Sequence, residues 1–168
     1  MAARGKHGPN KFSSYVQIHE TVMEQFLRAG FVRSENLSFA DLGNRLIELS
    51  GTIECAGDIY IVVMKLIEVL SGDGANALVQ TIYYDYNAVL RNAGNILRYD
   101  SPHPTHNKEH HVHRFDPVGH EIDGSPVFLP DENDRPTLGE VISEVESWYY
   151  EHADDSLRRV IGDLPSSE

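Results

Sequence analysis

The histidines of this chain are concentrated in one short stretch. Five of the nine lie in LRYDSPHPTHNKEHHVHRFD, which runs from Leu97 to Asp116. Between Arg91 and Arg114 there are four basic residues and two acidic ones, whereas the whole chain has a formal net charge of −12. The overall charge argues against general attraction to nucleic acid. A cationic segment within an anionic protein instead predicts a local site for an anion.

Histidine and arginine together can cleave a phosphodiester without a metal. Imidazole titrates near neutrality, so a histidine pair can act as general base and general acid. The guanidinium of arginine can bind two non-bridging phosphate oxygens and stabilise the charge that develops on them. We therefore expect His111 and His113 to transfer protons and Arg98 to bind phosphate. Asp100 and His103 are expected to orient these groups or assist them.

Further side chains near this cluster are candidates for binding the substrate. Cationic groups can contact phosphate, and tyrosines can stack on a base or donate a hydrogen bond to phosphate. The substrate-binding candidates are Arg114, Tyr99, Tyr83 and Lys108.

A metal site is an alternative use of the same histidines. His111 and His113 are two residues apart, so both rings face one side of a strand, and His103 or Asp100 could complete the ligand set. No Cys-x-x-Cys pair or His-Glu-x-x-His motif accompanies them. We therefore predict no cofactor and keep a transition metal held by His111, His113 and His103 as the alternative. A third interpretation is an ordinary solvated loop and sheet face.

The hydrophobic patterning predicts helices at the two ends of the fold. Residues 13–29 have apolar side chains at helical spacing after Ser13 or Ser14 as a cap, and Gly30 ends the helix. Near the C-terminus, Thr137 can cap a second, amphipathic helix. The apolar stripe of that helix consists of Leu138, Val141, Ile142, Val145, Trp148 and Tyr149.

The middle of the chain predicts an antiparallel meander of four or five strands. Strands are expected at 45–57, 58–70, 77–90, 96–100 and 109–116, followed by a loop at 117–136. A short helical turn is expected at 38–46. Alternation in the third strand assigns Ile82, Tyr84, Tyr86, Ala88 and Leu90 to the core face. Arg98, Asp100 and one set of histidines then face the open side. The fold class is α+β, with the C-terminal amphipathic helix packed on one sheet face.

Length and composition predict a single cytoplasmic domain. The α+β domain is expected at 13–152, after a disordered basic tail (1–12) and before an acidic tail (153–168) that could hold a short helix. One cysteine, no secretory signal and no apolar run of roughly 18 residues favour the cytoplasm and no membrane partner. Four lysines against ten arginines, with 26 acidic residues, favour a halophilic archaeon as the source.

The segment YDYNAVLRNAGNILRYDSPHPTHNKEHHVHRFD resembles the TumE-type toxins of prokaryotic toxin–antitoxin systems. That family has a Y-x-Y strand, then RYDN followed closely by His, then H-x-H before a helix. The matching positions are Tyr84, Tyr86, Arg98, Tyr99, Asp100, His103, His111 and His113. Ser101 stands where the family often has Asn, and the N-terminal extension and acidic tail are also departures.

The resemblance implies a growth-inhibiting toxin that cleaves cellular RNA and is neutralised by a cognate antitoxin. RNA and the antitoxin are therefore the expected partners, and the tyrosine-rich third strand could also pair in a homodimer. The alternative function is a non-enzymatic metal-binding or protein-interaction module encoded in a defence or toxin–antitoxin locus. A small RNase-like α+β fold is compatible with the meander, although fold alone does not fix function.

Overall fold

The computed structural model describes residues 6–102 and 109–162, without the side chains of 154–162. This part of the chain is α+β, with two α-helices and one antiparallel sheet of nine strands. The elements are β1 Asn10–Lys11, α1 Phe12–Ala29, β2 Val32–Glu35, β3 Ser38–Gly43, β4 Leu46–Cys55, β5 Ile59–Ser71, β6 Leu78–Leu90, β7 Gly94–Asp100, β8 His111–Arg114, β9 Val127–Phe128 and α2 Leu138–Gly162.

The centre of the sheet is the predicted meander. Strands β4 to β9 follow one another in space as they do along the chain, each antiparallel to the next. At one edge, β3 pairs with residues 46–50 of β4 and β2 with residues 53–55. The strand β1 pairs with the start of β6, although it lies within the segment 1–12 for which the sequence predicted disorder.

The predicted count of four to five strands is too low. The five predicted strands are present, but the sheet also contains β1, β2, β3 and β9, which are only two to six residues long. The expected helical turn at 38–46 is instead strand β3, where Phe39 pairs with Leu49 of β4. The ring of Phe39 packs edge-on against Phe12, 5.6 Å between centroids, so tertiary packing overrides the weak local pattern.

A β-bulge in β6 changes which residues face the core. Tyr83 pairs with Leu66 and Thr81 with Ile67, which leaves Ile82 as an extra residue between the two pairs. Ile82 is accordingly 49% exposed, and its assignment to the core is wrong. After the bulge the alternation holds as predicted, and the remaining core positions are buried: Tyr84, Tyr86, Ala88 and Leu90.

The two helices end and begin largely as the sequence indicates. Gly30 closes α1 in the left-handed region with φ of 88°, but α1 begins after Lys11, without a serine side-chain cap. Thr137 and Glu140 form a capping box at α2: Glu140 N donates to Thr137 Oγ1 (3.3 Å) and Thr137 N to Glu140 Oε2 (2.7 Å). Neither helix in the described chain is long and apolar enough to cross a membrane.

The main core lies between α2 and one face of the sheet. Val141, Ile142 and Val145 of α2 are fully buried in the same cluster as Ile61 and Tyr86. Helical backbone continues to Gly162 past a non-helical His152, whose φ is −121°. Because α2 covers one face, the polar residues of β6, β7 and β8 remain on the opposite, open face.

Candidate functional site

The register of β7 and β8 brings the predicted catalytic residues together. Arg98 lies opposite His113, and Asp100 lies opposite His111. Since residues two apart in a strand share a face, all four side chains belong to the open face of the sheet. The pairing of Asp100 with Asp85 extends this polar surface onto β6.

Asp100 is the centre of the cluster. It is 2% exposed, and its Oδ2 atom accepts a hydrogen bond from Arg98 Nε at 2.8 Å. The same oxygen lies 3.4 Å from His111 Nε2 and 3.8 Å from His113 Nε2. Three nitrogen atoms therefore surround one buried carboxylate oxygen. Without such compensation a buried carboxylate would be strongly unfavourable.

The ring orientation of His111 is fixed by a hydrogen bond from the nitrogen atom that does not face Asp100. Its Nδ1 atom lies 2.9 Å from the backbone carbonyl oxygen of Glu109, which can only accept a hydrogen bond. Nδ1 therefore carries a proton, and the neutral ring presents an Nε2 lone pair towards Asp100. A lone pair and a carboxylate oxygen repel each other unless a proton or a cation lies between them. His111 is 2% exposed, so bulk water cannot screen this contact.

The ring orientation of His113 is fixed in a similar way, but by the carboxylate of Glu121 instead of a backbone carbonyl. Its Nδ1 atom lies 2.5 Å from Oε1 of Glu121, which also accepts a hydrogen bond from Ser125 Oγ at 2.8 Å. These hydrogen bonds, first from His113 and then from Ser125, lower the pKa of Glu121, so it stays ionised and accepts the proton of Nδ1. The Nε2 atom of His113 is thus also directed towards Asp100.

The three converging atoms have the spacing of metal ligands. The ligand atoms of Asp100, His111 and His113 all lie within 4.8 Å of one another. In a tetrahedral zinc site with bonds of about 2.0–2.1 Å, ligand atoms are about 3.3 Å apart. The separations of 3.4 Å and 3.8 Å from Asp100 Oδ2 are close to that value. In metal sites, ligating histidines usually donate a hydrogen bond from the other ring nitrogen to a carbonyl or carboxylate oxygen. Both histidines of this cluster do so.

A shallow groove on the open face leads to the cluster. Arg98, whose side chain is 37% exposed, and Asn87 lie beside each other on β7 and β6. The Oδ1 atom of Asn87 is buried and accepts no hydrogen bond from the described residues. The groove therefore offers a partly exposed cation, beside a buried acceptor that has no partner among the described residues. It is lined by Val62, Met64, Asp85, Asn87, Arg98 and Asp100.

The structure does not bring all predicted site residues to this face. Arg114 and Tyr99 lie on the helix side: Arg114 Nε donates to Glu144 Oε1 (3.0 Å), and Tyr99 OH donates to Glu144 Oε2 (2.6 Å). They connect β7 and β8 to α2.

Tyr83 is on the same face of β6 as Asp85. Burial, then the charges of Asp85 and Asp100, raise the pKa of the Tyr83 hydroxyl. His103 and Lys108 lie outside the described residues.

The neighbouring His110 also belongs to the helix side. Its Nδ1 atom lies 3.0 Å from the hydroxyl of Tyr84. Burial, followed by the charges of Arg135 and His7, lowers the pKa of His110 to about 4. His110 therefore stays neutral at physiological pH and is separated from the open-face cluster.

Glu121 is the site residue that sequence reasoning missed. The chain folds back after β8 in a turn closed by Gly119 N donating to Asp116 O (2.9 Å), and Ile122 N then donates to Arg114 O. The sequence Asp-Pro-Val-Gly at 116–119 has the residues that a type I turn favours at its first, second and fourth positions. This feature could have placed Glu121 beside His113.

The chain was compared with protein-family models, with curated proteins and with solved structures, and it matches none of them.

Proposed function

We propose that Asp100, His111 and His113 bind one divalent transition metal, for which zinc suits the ligands best. One carboxylate and two neutral imidazoles are a ligand set for zinc, and three protein ligands leave a position for water or substrate. The observation that carries this proposal is the shared orientation of the two rings. Each Nδ1 faces an oxygen acceptor, and each Nε2 faces the same oxygen of Asp100.

Arg98 is compatible with a metal at this position. A carboxylate offers about four lone-pair sites on its two oxygens, so Asp100 can accept from Arg98 and still ligate a cation. The guanidinium of Arg98 also offsets part of the cost of burying Asp100. The side chain of Arg98 is 37% exposed, so its remaining N–H groups would be available to an anionic substrate.

The substrate that these groups suit is a phosphodiester, and we propose that it is RNA. A bound zinc ion would activate water near neutral pH and polarise a phosphoryl oxygen. Arg98 would bind the non-bridging oxygens. The resemblance to TumE-type toxins supports the same substrate. On this proposal the protein is an RNA-cleaving toxin restrained by a cognate antitoxin.

A metal-independent ribonuclease is the second candidate, and the pair of His113 and Glu121 favours it. A carboxylate that fixes the ring of an accessible histidine is the arrangement of a general base. The side chain of His113 is 15% exposed and lies across from Arg98, so it could take the proton of a 2′-hydroxyl. At 2% exposure His111 cannot reach RNA directly, and it would act as a positioning residue.

Cleavage of RNA by untagged protein separates the two candidates. Metal-stripped wild type should lose cleavage and regain it with one equivalent of Zn²⁺, and H113A and R98A should be at least about 100-fold slower. H120A is the matched control, because His120 is exposed and lies outside the cluster. Full cleavage after stripping would favour the metal-independent candidate. Folded protein that binds zinc but cleaves no RNA would contradict both and favour a metal-binding module.

A further inference from the structure

A second cavity lies on the opposite face of the sheet from the His/Asp cluster. It is about 240 Å³ in volume and is enclosed by α1, the start of α2, residues 6–10 and the core side of β5 and β6. Ligand pockets for drug-sized molecules are usually about 300–1,000 Å³. The size of this cavity therefore suits a smaller molecule.

The lining of this cavity is cationic in an otherwise anionic protein. Two of the four lysines and two histidines line it, and no acidic residue does: Lys6, His7, His19 and Lys65. Lys6 is neutralised by Glu140, 2.6 Å away. Lys65 has no carboxylate within 4 Å among the described residues, and its ammonium sits 4.9 Å from the ring centroid of Tyr15. Burial, then the charge of Lys65, lowers the pKa of His19.

Three tyrosine side chains line the cavity together with Lys65. Lys65 is the cross-strand partner of Tyr84, whose ring stacks on that of Tyr86 with centroids 5.1 Å apart. Tyr86 is 1% exposed and lines the cavity, and its hydroxyl makes no hydrogen bond with the residues that the structure describes. Tyr15 OH and Thr81 Oγ1 are 2.8 Å apart at the same wall. A hydroxyl without a partner at the wall of a cavity can donate a hydrogen bond to a ligand that enters it.

We propose that this cavity binds a small organic carboxylate with an apolar body. The carboxylate meets the ammonium of Lys65 and the hydroxyl of Tyr86, and the body lies against Ile18, Val22 and Leu138. One unpaired ammonium matches one negative charge. The N-terminus of α2, which would favour phosphate, is already satisfied by the Thr137–Glu140 capping box.

NMR titration of the full chain tests this assignment with three probes: benzoate, benzamide and inorganic phosphate. Benzoate should shift the amide resonances of Tyr15, Lys65 and Thr81, and benzamide should bind at least about tenfold more weakly because it lacks the charge. Phosphate should not saturate the site. Equal binding of benzamide, tighter binding of phosphate, or no response to benzoate would each overturn the proposal.

Substitution of Lys65 tests the residue itself. K65M should weaken benzoate binding at least about tenfold, whereas K11M, at an exposed lysine outside the cavity, should not. Reductive methylation of wild type gives a readout that needs no variant, because bound benzoate should slow modification of Lys65 and not of Lys11. Unchanged affinity in folded K65M, or equal methylation rates with and without benzoate, would contradict the proposal. The cavity is independent of the RNA-cleavage proposal.

Discussion

Asp100 and His111 face each other across the β7–β8 pair, with Oδ2 3.4 Å from Nε2 and each residue only 2% exposed. Because the other ring nitrogen of His111 donates to the carbonyl of Glu109, this contact needs a proton or a cation between the two atoms. A metal cation at this position would interact with Asp100 more strongly than at the surface, because bulk water is excluded.

Removal of Glu121 should weaken metal binding without unfolding the protein. The E121A variant loses the acceptor that fixes His113 Nδ1, and loss of such an outer partner typically costs 10–100-fold in metal affinity. Competition with a zinc chelator measures the change. D123A is the control, since Asp123 is an exposed carboxylate in the same loop. Equal affinities of E121A and wild type would show that Glu121 does not position His113.

Arg114 should matter for stability and not for RNA. In R114M the hydrogen bonds of the guanidinium to Glu144 and Tyr99 are lost, at a cost of about 1–2 kcal/mol in the free energy of unfolding. Urea denaturation measures this cost. Cleavage of RNA per folded molecule should be unchanged, because Arg114 lies on the face opposite the cluster. Lost cleavage at unchanged stability would restore Arg114 as a substrate-binding residue.

Gly57 should be far less tolerant of a side chain than Gly43. Both have positive φ, 69° and 75°, so alanine costs about 1–2 kcal/mol of backbone strain at either position. At Gly57 a Cβ atom would also lie 2.3 Å from Cε2 of Tyr149, whereas at Gly43 nothing lies within 4 Å. G57A should therefore be about 1–3 kcal/mol less stable than G43A by thermal or urea unfolding. Equal losses would show that the packing of α2 on the β4–β5 hairpin is loose.

Alkaline pH should destabilise the fold through its buried tyrosines. Burial raises the pKa of Tyr84 to about 12 and also raises the pKa of Tyr86 and Tyr99, so all three stay protonated in the folded protein. Tyrosines of the unfolded chain ionise near pH 10. The folded state then binds more protons, and stability falls as pH rises from about 10 to 12.

Urea unfolding across this range measures the slope, and Y84F should make it shallower. Y150F, at a ring that is 68% exposed, is the control. A slope that Y84F leaves unchanged would contradict the burial of the Tyr84 hydroxyl.

The sequence was sufficient to predict the face that carries the cluster. A short turn makes β6 and β7 neighbours, and the two-residue period of a strand then places Arg98 and Asp100 on one side. The same period puts His111 and His113 on that side of β8. The long strands β4, β5 and β6 were predictable because each is a run rich in apolar and β-branched residues bounded by turn residues.

Other features depend on contacts between distant parts of the chain. The bulge that exposes Ile82 follows from the register between β5 and β6, which no local pattern specifies. The burial of His111 depends on neighbours such as Phe128 of β9, whose ring centroid lies 6.2 Å away and whose strand is only two residues long. The side chains of Tyr99 and Arg114 resembled site residues by type, but their strand positions point them towards α2.

The most direct test of the account is the metal stoichiometry of untagged protein, measured by titration with Co²⁺ and followed by its visible absorption. Wild type and H120A should bind one equivalent with a tetrahedral spectrum that Zn²⁺ abolishes. Three variants should each bind Co²⁺ at least about 100-fold more weakly than wild type: D100N, H111A and H113A. Circular dichroism checks that each variant is folded. Folded wild type that binds no Co²⁺, or binds it as tightly as H111A and H113A do, would contradict the proposal of a metal centre.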